Sequence, residues 1–64
     1  MFKVNGEIID ERFDDINIML KSLGYRSEIV VVELNGEIVS RSDFEKTPIR
    51  DGDKVEIVCF VGGG

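Results

Sequence analysis

Apolar positions recur along this chain at two different spacings, and the switches between them mark out the elements. Met1-Phe2-Lys3-Val4 and Glu7-Ile8-Ile9-Asp10 are short apolar runs on either side of Asn5-Gly6. Asn-Gly between such runs predicts a hairpin, because both residues tolerate the positive φ of a type I′ turn. Ile16, Met19, Leu20 and Leu23 then follow at i, i+3, i+4 and i+7, one apolar stripe about two helical turns long. Asp14 or Asp15 is positioned to cap that helix, and Gly24 stands where a left-handed residue would stop it. Ile18 falls on the opposite side and is expected to be partly exposed. Residues 29–34 are a β-branched run too short for a helix. Asn35-Gly36 repeats the hairpin signal, and Glu37-Ile38-Val39 returns. Residues 40–50 are polar, with Phe44 and Ile49 as anchors, and Pro48 argues against a regular strand there. Asp51-Gly52-Asp53 reads as a turn, and residues 54–61 as the last strand.

The order is strand, strand, helix, strand, short strand, strand. One helix covers one face of one sheet, so the expected class is α+β: a mixed sheet of four to five strands with a helix across it. Alternation puts Val55, Ile57, Cys59 and Val61 on one side of the last strand. Glu56, Val58 and Phe60 lie on the other. Glu56 should not be buried unpaired, so the first set faces the helix. Val58 and Phe60 are then left on the open face as a candidate docking patch. Two-residue loops would set Ile8 opposite Lys3 and Ile38 opposite Glu33, adding both to that face. The same register sets Glu7 and Glu37 opposite Val4 and Leu34, so the hairpin registers stay open.

Composition narrows the function. Sixty-four residues make one domain that buries only roughly 60% of its unfolded surface, with little room for a catalytic pocket. Thirteen acidic against eight basic residues give a net charge of −5, the wrong sign for nucleic acid. The acidic balance suits a basic protein partner. No apolar run reaches the roughly 20 residues of a membrane helix. The single cysteine has no internal disulfide partner, and no signal-peptide pattern opens the chain. A soluble, cytoplasmic protein, monomeric on its own, is the expectation. With no histidine and one cysteine, the usual hydrolytic triads and zinc sites are excluded. Cys59, on the core-facing side, reads as a small buried hydrophobe. No residue reads as catalytic, and no metal site is expected.

That leaves Gly62-Gly63-Gly64. Glycines without Cβ atoms add nothing to a core and cost the most entropy to order. Read as the end of the chain, they are either a frayed tail or a bare strand that can thread a narrow tunnel. In the second case the Gly64 carboxylate is presented to chemistry. The division expected is a domain over 1–61 and a tail over 62–64.

The element order, Asp51-Gly52-Asp53 before the last strand, and Val55-Glu56-Ile57-Val58-Cys59-Phe60-Val61-Gly62-Gly63-Gly64 resemble the ThiS family. Those are sulfur carriers of thiamin biosynthesis with a ubiquitin-like β-grasp fold. Val32-Glu33-Leu34-Asn35-Gly36-Glu37-Ile38-Val39 resembles the family's middle hairpin. The likeness runs over the whole chain, and the Gly-Gly end is its specific part. Cys59 departs from similar sequences, which often carry histidine there. The resemblance implies that the chain is no enzyme and binds no cofactor itself. A ThiF-like adenylating enzyme would activate Gly64 with ATP, while Gly62 and Gly63 thread its active site. A cysteine desulfurase or related donor would supply sulfur, and thiazole synthase would receive it. The small subunit of molybdopterin synthase resembles the same pattern but tends to be longer. A non-covalent β-grasp interaction module is the other alternative.

Overall fold

The computed structural model describes residues 1–60. The tail Gly62, Gly63 and Gly64, and Val61 from the expected last strand, lie outside the described residues. Five strands form one sheet: β1 (Phe2–Val4), β2 (Glu7–Ile9), β3 (Val30–Leu34), β4 (Glu37–Val39) and β5 (Lys54–Cys59). The helix α1 spans Ile16–Leu23, and 3-10 turns occupy Ser27–Ile29 and Arg41–Lys46. Strand order is β2-β1-β5-β3-β4. β1 runs parallel to β5, and the other pairs are antiparallel. This is the ubiquitin-like β-grasp arrangement of the α+β class.

Both hairpins close as two-residue turns. Asn5 and Gly6 adopt φ of 50° and 85°, and Asn35 and Gly36 adopt 52° and 88°. These angles match the right-handed twist of the flanking strands. The registers follow: Lys3 faces Ile8 and Val4 faces Glu7, while Glu33 faces Ile38 and Leu34 faces Glu37. Glu7 and Glu37 thus share a face with core residues. They do so on the outermost strands, where both remain exposed.

α1 starts at Asp15, whose Oδ1 accepts the Ile18 N–H at 2.9 Å, and stops at Gly24 with φ 87°. Its Ile16, Met19 and Leu20 are fully buried, packed with Phe2, Val32, Val55 and Ile57 from the sheet. Ile18 is exposed, as its position off the stripe requires. The polar stretch after β4 forms a 3-10 turn that the sequence reading missed. Its Phe44 is 2% exposed, and burying such a ring contributes about 2 kcal/mol toward tying the segment down. The Thr47 carbonyl then accepts the Ile16 N–H at 3.1 Å, joining this segment to the start of α1.

Two strand ends differ from expectation. β3 begins at Val30, because Ile29 closes the preceding 3-10 turn. β5 stops at Cys59, although the Phe60 N–H still donates to the Ile29 carbonyl at 2.7 Å. Beyond that bond, β3 has already bent away into its turn. Cys59 is half-buried rather than buried, packed against the edge of the core.

Candidate functional site

β5 is the central strand, and polar clasps hold it at its start and its middle. The Asn5 side chain bridges from the first turn to the middle of β5. Its Oδ1 accepts the Ile57 N–H at 2.8 Å, and its Nδ2 donates to the Ile57 carbonyl at 3.2 Å. Asn35 does the same at the start of the strand. Its Oδ1 accepts the Lys54 N–H at 2.9 Å, and its Nδ2 donates to Asp53 Oδ1 at 3.0 Å. Two equal turn sequences therefore fasten the strand that leads to residues 61–64.

With the core set of β5 turned toward α1, its other side chains meet solvent. Val58 is 56% and Phe60 60% exposed. In-register partners share a face, so Val31 stands beside Val58, and Glu33 beside Glu56 with Ile38 beyond it. The open face is therefore banded. Val31, Val58 and Phe60 form an apolar end. Glu33 and Glu56 lie in the middle, edged by Ile38. Lys3 and Lys54 close the far end.

Val58 and Phe60 come together on this face as the alternation predicted. Ile38, 72% exposed, lies across β3 level with Glu56, two strand spacings and two residues from Val58, on the order of 12 Å, at the margin of the patch. Ile8 is also exposed, but it sits beyond Lys3 on β2. Two strand spacings and four residues separate it from Val58, on the order of 16 Å, so it is not part of the patch. Sequence reasoning missed Val31, hidden in a uniformly apolar run, and the Glu33–Glu56 pair, which only the β3–β5 register reveals.

A hollow of about 270 Å³ lies elsewhere, among Phe2, Phe13, Ile49, Arg12 and Arg50. No β5 residue lines it. Among the described residues no three His, Cys, Asp or Glu side chains come together to hold a metal, and no helix is long and apolar enough to cross a membrane. What the site offers is a partly apolar, partly acidic sheet face on the strand that runs on to Gly62-Gly63-Gly64.

The ThiS family model matches residues 1–64. The sulfur carrier protein ThiS of Bacillus subtilis is 36% identical over 66 residues, covering 100% of both chains. A thiazole synthase of Paramagnetospirillum magneticum is 47% identical over 64 residues. That match takes in 95% of this chain but only 19% of the synthase, so the chain spans about a fifth of that relative. The crystal structure of the thiamine biosynthesis protein ThiS from Geobacter metallireducens superimposes with a TM-score of 0.78 at 39% identity. It covers 98% of this chain and 97% of the other.

Proposed function

The chain belongs to the ThiS family, and we propose that it carries sulfur for the thiazole moiety of thiamin on the carboxylate of Gly64. The observation that carries this reading is the placement of β5. The strand is clasped by Asn5 and Asn35, exposes Val58 with Phe60 just past its end, and is followed in sequence by Val61 and Gly62-Gly63-Gly64. A partner seated on the open face would be positioned to receive those glycines.

In this reading a ThiF-like enzyme docks on Val58 and Phe60, and Gly62 and Gly63 thread its active site. The Gly64 carboxylate attacks the α-phosphate of ATP, releasing pyrophosphate and giving an acyl-adenylate. A persulfide sulfur from a cysteine desulfurase or related donor then attacks the carbonyl carbon, and AMP leaves. Cleavage of the remaining S–S bond by a thiol frees the thiocarboxylate. Thiazole synthase is the acceptor. The relative in which a stretch like this one belongs to a thiazole synthase supports that pairing. Docking fixes the sulfur's orientation and raises its local concentration, which removes entropic cost from the transfer. Catalysis belongs to the partners, and the carrier works in the cytoplasm, where a lone thiol stays reduced.

ATP–pyrophosphate exchange by the adenylating enzyme tests this reading. Deleting Gly64 shortens the reach by roughly 3.3–3.6 Å, and one bulky added residue would block the channel, so both changes should abolish exchange. Equal exchange with intact, shortened and extended proteins would remove Gly64 from the chemistry.

A further inference from the structure

The sequence Asn-Gly-Glu-Ile occurs twice, at residues 5–8 and 35–38, yet the fold holds the two asparagines differently. Both residues are exposed as a whole. The bonds from Asn5 reach the middle of β5 at Ile57 and are partly buried. Those from Asn35 reach Lys54 and the Asp53 carboxylate, and both are open to water.

Asn-Gly is the dipeptide most open to spontaneous deamidation, since no side chain shields the glycine nitrogen. That nitrogen, deprotonated, attacks Cγ of the asparagine. A new C–N bond closes a succinimide, and the Cγ–Nδ2 bond breaks with loss of ammonia. Water then opens either ring carbonyl, giving aspartate or isoaspartate. One water is consumed, one ammonia is released and nothing is oxidised. Attack requires the carboxamide to leave its hydrogen bonds and the turn to leave its left-handed geometry. The rate in the folded protein therefore follows the free energy of local opening.

We propose that Asn35 is the deamidation site of the folded protein, and that the clasp on Ile57 protects Asn5. Freeing Asn5 exposes backbone groups in the middle of the central strand, whereas water can replace both partners of Asn35 without disturbing a ladder. Reaction at Asn35 replaces the Nδ2–H donor with a carboxylate oxygen facing Asp53. The isoaspartate form also adds a backbone methylene to a two-residue turn. Either product loosens the start of β5.

The repeat supplies its own control. Trypsin separates the sites, with Asn5 in the peptide of residues 4–12 and Asn35 in that of residues 27–41. The full-length protein is incubated at mildly alkaline pH, folded and in concentrated urea, and both peptides are followed by mass spectrometry. In urea the rates should agree within about twofold, because the local sequences match. In the folded protein Asn35 should react at least about fivefold faster than Asn5. Asp53→Ala should speed Asn35 and leave Asn5 unchanged. Equal folded rates, an Asn5 that reacts first, or an Asn35 inert when folded but reactive in urea would each overturn the proposal. If Asp53→Ala does not fold, the comparison of folded and unfolded native protein still decides it.

Discussion

Glu33 and Glu56 stand directly opposite each other on β3 and β5, on the face that α1 leaves uncovered. Like charges in that position destabilise a sheet, and neither joins a salt bridge among the described residues. A partner that covers Val58, Phe60 and Ile38 covers both carboxylates as well. Burying them uncompensated would cost several kcal/mol, so the partner must bring Lys or Arg to the middle of the patch. Glu56→Gln should raise the carrier's own stability by about 0.2–1 kcal/mol yet weaken its binding to the adenylating enzyme. Titration calorimetry at low and high salt reads both the loss and its screening. Equal affinity for the two proteins at every salt concentration would leave the pair without a role in docking.

Phe60 tests the patch itself. Because the ring is exposed, Phe60→Asp should leave the melting temperature nearly unchanged. Binding should fall by about 2 kcal/mol or more, as for an aromatic anchor. A collapsed melting temperature with affinity per folded molecule intact would put Phe60 in the core.

Asn5 carries two bonds to one residue of the central strand. Asn5→Gly keeps the positive φ but strips the Ile57 N–H and carbonyl of their partner, and should cost about 1–3 kcal/mol in urea unfolding. Asn5→Ala adds the strain of a left-handed alanine, about 1–2 kcal/mol more. Equal stability of all three proteins would mean water replaces the clasp without loss.

Cys59 is half-buried at the end of β5. Cys59→Ser should cost about 1 kcal/mol, the low end for burying a hydroxyl, and sulfur loading should persist. A Cys59→Ala protein that folds normally but accepts no sulfur would assign the thiol a chemical part.

The amino group of Met1 lies 2.7 Å from Asp51 Oδ1. Its hydrogen bond, then its charge, hold the Asp51 carboxyl below its ordinary 3.8. A depressed folded-state value stabilises above the unfolded one, and that contribution is lost as pH falls below 3.8 through the folded value. Urea midpoints of the native protein and Asp51→Asn should therefore differ at pH 7 and converge in acid. A gap that persists well below that range would trace it to packing instead.

The helix was legible because Ile16, Met19, Leu20 and Leu23 repeat at its period, and the hairpins because Asn-Gly has few other uses. The 3-10 turn over Arg41–Lys46 was not, since it has no periodic stripe and rests on local bonds such as Thr47 Oγ1 to the Asp43 carbonyl at 2.7 Å. Val58 and Phe60 could be placed from Glu56 alone, because alternation within one strand is a local property. Their neighbours Val31 and Glu33 could not, because neighbourhood across strands depends on which strands pair and in what register.

The central place of β5 also bears on how the molecule is made. Both hairpins and α1 leave the ribosome before Lys54–Cys59, the strand that joins β1 to β3. Two-stranded hairpins alone are marginal in water, so the nascent polypeptide has no sheet for α1 to lie on until its last strand emerges. A polypeptide truncated before β5 would hold two unconnected hairpins and would be open to proteolysis. Val58 and Phe60 lie on or next to that same strand. Translation order thus acts as an inspection step: only a molecule whose architecture is complete has a surface to show.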